Sequence, residues 1–290
     1  VDRYLDAMIK ELKATAKLMQ GKTLDTVYIG GGTPTTLEAD QLDRLLGTIR
    51  ENFDLEHVLE FTVEAGRPDS ITREKLEVIR KYPVTRISVN PQTMQQKTLD
   101  LVGRKHTVED VEHIFHLARE LGFDNINMDL IAGLPGEDAA DMQDTLEKIE
   151  KLHPDSLTVH ALAIKRAAKF GQEGRTMDPG TEITQMVEAA AASAERMGLV
   201  PYYLYRQKNI AGNFENVGYA EQDKAGVYNI LIMEEKQAIL ACGAGASTKR
   251  VWNLPDGYHI ERCENVKDIK QYIARIDEMI ERKKALFEKD

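Results

Sequence analysis

The sequence predicts an α/β fold in which parallel strands are joined by helical crossovers. Two observations lead to this prediction: strand-like and helix-like segments alternate five times within the first 165 residues, and glycine or polar residues follow each strand-like segment. Repeated β–α units imply a parallel sheet with right-handed connections. Either a barrel or an open doubly wound sheet satisfies this pattern, and in both architectures ligands bind at the carboxyl ends of the strands.

The individual elements are predicted from short apolar runs and from helical spacing. The strand candidates are rich in β-branched and aromatic residues and end in turn residues; they cover residues 26–29, 59–64, 86–90, 125–131 and 156–161. The helix candidates repeat apolar residues at intervals of three and four; they cover residues 2–20, 39–51, 73–81, 108–121 and 138–151. Thr107, with acids in the following turn, predicts a helix start, and Gly122 predicts a helix stop.

The chain is expected to divide near residue 170. Residues 1–170 carry the β–α units, and residues 171–290 are interpreted as a C-terminal α+β extension that packs on them. In the extension we expect a helix over residues 181–197, strands over residues 201–209, 227–233 and 237–242, and a closing helix over residues 266–284. A glycine-rich turn is expected at residues 242–248.

Composition and charge narrow the classes of protein. Of the 290 residues 42% are hydrophobic and 30% are charged, and the formal net charge is −10. A negative charge disfavours bulk electrostatic binding to nucleic acid or to anionic lipid. No stretch approaches the roughly 18 apolar residues that span a bilayer, and no signal peptide is visible. Two widely spaced cysteines make no disulfide framework, so we expect a cytoplasmic protein.

Candidate site residues stand at the ends of the predicted strands. They are GGGTPT at residues 30–35 after the first strand, Glu64 and Arg67 at the second, Asn90 and Gln92 at the third, Arg104, Lys105 and His106 before the next helix, Asp129 in the fourth, and His160 near the end of the fifth. Since the carboxyl ends of parallel strands share one edge, these groups predict a concave polar site there.

Each candidate also has a purely structural interpretation. The glycine run permits close backbone approach, so its N–H and C=O groups can hold a phosphate, a carboxylate or an ammonium group, or it is a tight turn. Glu64 and Asp129 can accept from a ribose hydroxyl or an ammonium group, or they pair with Arg86 or Arg104. Arg104 can bind a carboxylate bidentately, although alone it is more often a surface charge.

Metal and nucleophile motifs are weak in this sequence. Among seven histidines only His113 and His116 form a close pair, and on a predicted helix they are best explained as a solvated face. Cys242 and Cys263 lie in different predicted elements and do not support a metal site built from cysteines. No nucleophile-elbow pattern marks a catalytic serine.

Four ordered motifs together resemble the radical S-adenosylmethionine enzymes of the oxygen-independent coproporphyrinogen III oxidase type, the HemN and HemZ type. The motifs are YIGGGTPT at residues 28–35, EFTVEAGRPDSIT at 60–72, RISVNPQTMQQKTLDLVGRKHT at 86–107 and INMDLIAGLPGED at 126–138. The resemblance is strong from residue 27 to about 162 and continues weakly to residue 247. PYYLYRQKN at residues 201–209 and CGAGAS at 242–247 are most similar to the HemZ-type branch.

The resemblance implies a fold and a cofactor site. The fold would be a partial (β/α)6 TIM-like barrel whose first strand is missing, followed by the C-terminal extension. S-adenosylmethionine would lie in the barrel mouth, with its methionine amino group on Gly31, Gly32 and Thr33. Its ribose or carboxylate would be held by Glu64, Gln92, Arg104 and Asp129, and Ala246 would make a further backbone contact. These residue types suit an ammonium group, hydroxyls and a carboxylate.

The resemblance also implies a reaction. A 4Fe–4S cluster would cleave S-adenosylmethionine reductively, and the resulting radical would abstract hydrogen from a propionate of coproporphyrinogen III, which decarboxylates toward protoporphyrinogen IX. The protein would then be an oxidoreductase of haem biosynthesis that uses a tetrapyrrole substrate and an electron donor. Three alternatives stay open: haem binding or delivery with His160 or His259 as iron ligand, another radical reaction such as methyl transfer, and a cluster-free barrel enzyme with a phosphate-binding turn.

The sequence departs from the family at the cluster. The family's C-x3-C-x2-C motif, normally at the end of the first strand, is absent from these residues, as is that strand. Thiolates hold such clusters, and Cys242 and Cys263 match neither the spacing nor the place. We therefore expect a truncated member that, as given, holds no site-specific cluster and is inactive.

Overall fold

The computed structural model of the chain describes residues 1–162, 179–206, 215–235, 237–255 and 257–289. These residues form two compact units. The helical unit comprises Val1–Val27, Leu37–Leu59 and Val227–Asp290, and the sheet unit comprises Tyr28–Thr36 and Glu60–Gly226. The domain boundary expected near residue 170 lies outside the described residues.

The strands of the described residues are numbered in chain order. They are β1 (Thr26–Ile29), β2 (Glu60–Gly66), β3 (Arg86–Gln92), β4 (Ile126–Ala132), β5 (Ser156–Ala161), β6 (Val200–Arg206), β7 (Glu215–Ala220), β8 (Ser247–Leu254) and β9 (Gly257–Glu264). All five strands predicted in the first 165 residues are confirmed, with ends that shift by at most two residues. The predicted strand over residues 201–209 corresponds to β6, and residues 207–209 lie outside the described part.

The helices follow the same convention. They are α1 (Asp2–Leu18), α2 (Ala39–Asn52), α3 (Arg73–Arg80), α4 (Gln96–Leu101), α5 (Val108–Glu120), α6 (Ala139–Leu152), α7 (Pro179–Arg196), α8 (Val227–Glu234), α9 (Ile269–Ala274) and α10 (Ile276–Phe287). Two short 3-10 turns occupy Pro34–Thr36 and Pro68–Ser70. Every helix in the described ranges is too short or too polar to cross a lipid bilayer.

The order of the strands decides between the two architectures that the sequence left open. Seven strands of the described residues form one sheet in the order β1-β2-β3-β4-β5-β7-β6. The pairs β2–β3, β3–β4 and β4–β5 are parallel, whereas β7 is antiparallel to both β5 and β6. A doubly wound sheet reverses direction at a switch point, but here the first five strands follow in sequence. The sheet is therefore wound in one direction, like part of a barrel.

The two faces of the sheet differ in polarity because side chains alternate along a strand. On one face Phe61, Val63, Ile87, Val89 and their neighbours are fully buried, at 0% exposure. Each such side chain contributes about 1.5–3 kcal/mol of hydrophobic stabilisation. The opposite face carries polar residues in successive rows: Glu60, Thr62 and Glu64 on β2, Arg86, Ser88 and Asn90 on β3, Asn127 and Asp129 on β4, and Ser156, Thr158 and His160 on β5. This polar face carries the candidate site.

Two helix ends follow the predicted capping chemistry. Thr107 precedes α5 and accepts from the Asp110 backbone N–H, while the Asp110 side chain accepts from the Thr107 N–H. This reciprocal pair satisfies two backbone donors at the start of the helix. Gly122 follows α5 with φ of 84°, a conformation that suits glycine at a helix end.

The helical unit contains a buried ion pair that the sequence did not reveal. Glu11 on α1 and Lys283 on α10 lie 2.8 Å apart, with side-chain exposures of 0% and 2%. Glu11 also accepts from the Tyr272 hydroxyl, the Asn265 amide and the Gly243 N–H, at 2.5, 2.7 and 2.8 Å. Because buried charges are tolerated only when they are paired and hydrogen-bonded, this network ties α1 to the C-terminal helices.

Three expectations for the C-terminal part are wrong, and three strands were missed. Residues 227–233 form helix α8 and not a strand, and residues 237–242 contribute only an isolated bridge at Ile239. A run of apolar residues such as VYNILIM has no clear period, so it does not separate strand from helix. The predicted single helix over residues 266–284 is two helices, because Arg275, with φ of −113°, interrupts it. Strands β7, β8 and β9 were missed, although Pro255-Asp256-Gly257 is a turn signal of the kind that joins hairpin strands.

Candidate functional site

The glycine loop after β1 is shaped by the residues beneath it. A Cβ atom on Gly30 would stand 2.5 Å from Cε1 of Tyr28 and 2.6 Å from the carboxyl carbon of Glu64, so no side chain fits there. Gly31 has φ of 79°, which favours glycine, and nothing lies within 4 Å of the position its Cβ would take. The loop therefore presents bare backbone to open space, as the functional interpretation requires.

The loop is anchored by the residue that follows Pro34. The buried Thr35 hydroxyl contacts the Ala65 carbonyl and lies 2.7 Å from the Ser70 hydroxyl. The Thr35 carbonyl accepts from Nζ of Lys75 at 2.8 Å. These contacts fix the loop to β2 and to the start of α3, so the glycines are held in place.

Glu64 is oriented from two sides. Its Oε1 accepts from the Tyr28 hydroxyl, and its Oε2 accepts from the Gly31 N–H at 3.2 Å. Burial is the main cause that raises the pKa of Glu64, and nearby Asp129 raises it further. The hydrogen bonds from Tyr28 and Gly31 and the positive charge of Arg86 oppose this shift. The pKa of the Tyr28 hydroxyl is raised by burial and by the Glu64 charge, so Tyr28 acts as a donor.

The end of β3 turns sharply at Gln92, which has φ of 71°. The pairing between β3 and β4 also shifts its register between Val89 and Gln92. His106, whose side chain is fully buried, lies with Nε2 3.4 Å from the Pro91 carbonyl oxygen. Burial lowers the pKa of His106, so its imidazole is neutral at physiological pH. Of the three candidates Arg104, Lys105 and His106, it is therefore His106 that contacts the end of β3 beside its turn.

Arg104 belongs to the sheet unit and lies near His106, whose pKa its charge lowers. Its backbone N–H donates to the Leu99 carbonyl at 2.9 Å, which closes the loop after α4. Within the described ranges its half-buried side chain has neither a hydrogen bond nor an ion pair. Arg104 is thus available for an anionic ligand, and the structural alternative, a pair with Glu64 or Asp129, is not seen.

Asp129 is held by its neighbours on the polar face. Its Oδ1 accepts from Nδ2 of Asn127 at 2.7 Å, and Oδ1 of Asn127 accepts from the Thr158 hydroxyl at 3.1 Å. Its Oδ2 stands 4.0 Å from Nε2 of His160, beyond hydrogen-bond range. His160 lies closer to the carboxyl edge than Asp129 does, because it pairs with Ile131, two residues further along β4.

Arg86, the other candidate partner for the acids, bonds elsewhere. Its Nη2 donates to the Ser156 hydroxyl at 3.0 Å, and its Nε has no hydrogen-bond partner in the described part of the chain. Its charge still lowers the pKa of Glu64. Arg86 therefore acts on Glu64 as a nearby charge and not as a direct ion-pair partner.

The sheet unit thus holds seven of the eight predicted site residues: Gly31, Gly32, Thr33, Glu64, Gln92, Arg104 and Asp129. Ala246 belongs to the helical unit, where its N–H donates to the Gly243 carbonyl at 3.2 Å, and its role stays a prediction. Tyr28, Asn127 and Thr158 were not predicted. An alternation of polar residues on β4 and β5 could have indicated the last two.

The described residues contain no group of three or more histidine, cysteine, aspartate or glutamate side chains that could hold a metal ion. Both cysteines are free. Cys242 lies with Sγ 3.4 Å from the Thr15 hydroxyl and 3.5 Å from Nζ of Lys283, and burial raises the pKa of its thiol.

Comparison with known proteins identifies the class. The model of the Radical SAM superfamily matches residues 4–149. A solved structure of the coproporphyrinogen III oxidase HemN from Escherichia coli, a Radical SAM enzyme, superposes with a TM-score of 0.73 at 24% identity; the match covers 96% of this chain and 63% of HemN. The chain belongs to the Radical SAM superfamily, and its predicted partial-barrel fold is confirmed.

Two curated relatives narrow the group. HemZ of Bacillus subtilis, an oxygen-independent coproporphyrinogen-III oxidase-like protein, is 47% identical over 276 residues, which are 91% of this chain and 54% of HemZ. The haem chaperone HemW of the same organism is 31% identical over 287 residues, which are 96% of this chain and 69% of HemW. The chain is therefore a member of the group that contains HemZ, HemN and HemW, and it spans about half the length of HemZ.

The two cofactors of the superfamily fit this chain differently. S-adenosylmethionine fits the sheet unit, which offers open glycine backbone, the oriented carboxylates of Glu64 and Asp129, and the available guanidinium of Arg104. The 4Fe–4S cluster used in this superfamily does not fit the described residues, because neither cysteine stands in a metal-binding group. The chemistry of this chain is therefore argued from its S-adenosylmethionine site alone.

Proposed function

We propose that the sheet unit binds S-adenosylmethionine and that the full-length protein oxidatively decarboxylates coproporphyrinogen III to protoporphyrinogen IX. The observation that carries the proposal is the hydrogen bond from the Gly31 N–H to Glu64 at the edge where Asp129 also lies. It joins exposed backbone to a carboxylate at the carboxyl end of the sheet, where α/β enzymes bind their ligands.

Different residues would bind different parts of the cofactor. The carboxylate of Glu64 and the carbonyl groups of the loop at Gly31–Thr33 would accept from the methionine ammonium group. Arg104 would bind the methionine carboxylate, for which a guanidinium offers two parallel donors. Asp129 and Gln92 would hold the ribose hydroxyls. With each end of the cofactor fixed, its reactive carbon would take one position over the polar face.

The cofactor supplies the hydrogen-abstracting chemistry, and the protein supplies orientation and exclusion of water. A porphyrinogen would bring its propionate side chains to this edge, where Nε2 of His160 lies 4.0 Å from Oδ2 of Asp129. The 47% identity to HemZ supports a tetrapyrrole substrate.

An anaerobic assay of the full-length protein tests this reaction. Coproporphyrinogen III, S-adenosylmethionine and a low-potential reductant are supplied, and 5′-deoxyadenosine and vinyl-bearing products are measured by mass spectrometry. We expect both products from the wild type and neither from Asp129→Ala. Formation of 5′-deoxyadenosine without a vinyl product would indicate another radical reaction, such as methyl transfer. Absence of both products would refute the proposal.

A second candidate function is haem binding. It is favoured by the similarity to the haem chaperone HemW and by two exposed imidazoles, His160 and His259, with side-chain exposures of 37% and 57%. Titration of the full-length protein with haemin, followed by its Soret band, tests it. A shift that His160→Ala or His259→Ala removes would support haem binding, and an unshifted wild-type spectrum would exclude it.

A further inference from the structure

The two carboxylate oxygens of Asp129 have different surroundings. Oδ1 accepts from the Asn127 amide at 2.7 Å, whereas Oδ2 has no hydrogen bond within the described residues and lies 4.0 Å from Nε2 of His160. A carboxylate that is fixed through one oxygen presents the other in a defined direction. The free oxygen is the one on the side of His160, toward the carboxyl edge of the sheet.

The Asn127 amide is fixed in turn by Thr158. The Thr158 hydroxyl donates to Oδ1 of Asn127 at 3.1 Å, which leaves Nδ2 to face Asp129. Both residues are buried, with exposures of 4% and 5%. An amide can be flipped without changing its shape, but a carboxylate only accepts, so Nδ2 of Asn127 must face Asp129. The Thr158 hydroxyl then donates to the remaining amide oxygen and holds the amide in that position.

The sheet register creates this arrangement. Asn127 and Asp129 are two residues apart on β4 and therefore share a face, and Thr158 on β5 pairs directly with Asp129. In a parallel sheet covered on both sides, such positions are usually apolar. The presence of the Thr158 hydroxyl and the Asn127 amide beside Asp129 therefore indicates that these groups fix the orientation of the carboxylate.

Electrostatics adds a reason for holding Asp129. Its charge raises the pKa of Glu64, so the two carboxylates are close enough to repel. The donor on Oδ1 keeps the carboxylate of Asp129 on the β4–β5 side. Without that donor the carboxylate could rotate and lose its fixed direction.

We propose that Asn127, itself oriented by Thr158, is a positioning residue that aims Asp129 at the ribose hydroxyls of S-adenosylmethionine. The inference rests on the proposed cofactor site. It assigns to two buried residues an indirect role, exerted through Asp129, in affinity for the ribose.

The test compares the dissociation constants of S-adenosylmethionine and of its 2′,3′-dideoxyribose analogue, measured by calorimetry on the full-length protein. Thr158→Val removes the hydroxyl at nearly constant shape, and Asn127→Ala removes the amide. Loss of one oriented hydrogen bond should raise the Kd of S-adenosylmethionine about threefold to tenfold and leave that of the analogue unchanged. Thr158→Ser keeps a hydroxyl at this position and should therefore bind S-adenosylmethionine with wild-type affinity.

Ser88→Ala is the matched control. Ser88 is 4% exposed, pairs with Asn127 in the sheet, and its hydroxyl has no hydrogen-bond partner in the described ranges. The Ser88→Ala variant should bind S-adenosylmethionine and its dideoxy analogue with the same dissociation constants as the wild type. Equal losses in Ser88→Ala and Thr158→Val, or equal losses for both ligands, would show a merely structural role and overturn the proposal.

The proposed function and this inference fail differently. A wild type that binds neither ligand, or binds both equally, refutes the ribose contact itself and with it the inference. A wild type that prefers S-adenosylmethionine while Thr158→Val and Asn127→Ala keep the same preference refutes the positioning role alone. If Asn127→Ala does not fold, as judged by its melting curve, Thr158→Val with Thr158→Ser decides.

Discussion

The Gly31 N–H lies 3.2 Å from Oε2 of Glu64, so the glycine loop and the second strand are joined through a carboxylate. The same carboxylate accepts from Tyr28 on the strand that precedes the loop. Glu64 therefore sits between the loop and β1, and its charge faces the bare backbone of the loop. An ammonium group placed there would meet carbonyl oxygens and a carboxylate together.

Binding of S-adenosylmethionine should weaken as the pH falls. Burial raises the pKa of Glu64 above its ordinary value of 4.5, so this carboxyl gains its proton at a higher pH than exposed carboxyls do. Only the charged form attracts an ammonium group. We expect the Kd of S-adenosylmethionine, measured by calorimetry, to rise on going from about pH 7 to about pH 5.5, a range in which unperturbed carboxyls stay ionised and the methionine amino group stays mostly protonated.

Glu64→Gln provides the control for this titration. The amide keeps the size but carries no charge, so the Kd should rise about 10- to 100-fold at neutral pH, as expected for a lost charge-assisted hydrogen bond. Its Kd should also be nearly independent of pH across the same range. A variant that keeps the wild-type pH dependence would show that another group is responsible.

Tyr28→Phe should shift to higher pH the point at which the Kd of S-adenosylmethionine begins to rise. The Tyr28 hydroxyl donates to Glu64 and lowers the pKa of the carboxyl, so its removal lets burial raise that pKa further. The loss of affinity should then begin at a higher pH than in the wild type. Tyr203→Phe is the control, because burial raises the pKa of Tyr203 without a hydrogen bond to Glu64. An unchanged onset pH in Tyr28→Phe would mean that Gly31 alone orients the carboxylate.

The sequence predicted the elements of the sheet unit better than the contacts within it. Strands β1 to β5 carry apolar residues at a period of two between clear turn signals, and the polar residues at their ends were visible as a series. Contacts such as Thr158 to Asn127 join residues 31 positions apart, and they depend on a strand register that the spacing of apolar residues does not define. Tyr28 passed for an ordinary apolar strand residue because its hydroxyl partner lies on another strand.

In the helical unit the sequence failed to predict one element and the main buried ion pair. Helix α8 was mistaken for a strand because its residues are apolar on most sides and show no helical period. Within the described residues none of its side chains is fully buried, so packing also gives it no distinct buried face. Glu11 and Lys283 lie in helices that were predicted, but each looks like an ordinary charged residue on an amphipathic helix. Their pairing across 272 residues of sequence follows from packing and not from a local pattern.

Gly30→Ala should abolish cofactor binding while the fold persists. The added methyl group would stand 2.5 Å from the Tyr28 ring and 2.6 Å from the Glu64 carboxyl, so both side chains must shift. A displaced Glu64 no longer accepts from Gly31, and the loop loses its fixed geometry. Calorimetry should show no binding of S-adenosylmethionine, with a circular dichroism spectrum like that of the wild type. Wild-type affinity would show that the loop tolerates this movement and that Glu64 need not be held in place.

Lys283→Met should destabilise the helical unit more than any exposed lysine substitution. It leaves the carboxylate of Glu11 at 0% exposure without its positive partner, and removal of one member of a buried ion pair costs about 3–5 kcal/mol. Urea unfolding followed by circular dichroism should show a large fall in the midpoint. Lys284→Met is the neighbouring control, since within the described residues Lys284 forms an exposed pair with Glu281 alone, whose loss should hardly move the midpoint. In the double variant Glu11→Gln/Lys283→Met no buried charge is left alone, so it should regain part of the stability. Equal midpoints for Lys283→Met and Lys284→Met would show that the Glu11 charge is satisfied by Tyr272, Asn265 and Gly243 without the lysine.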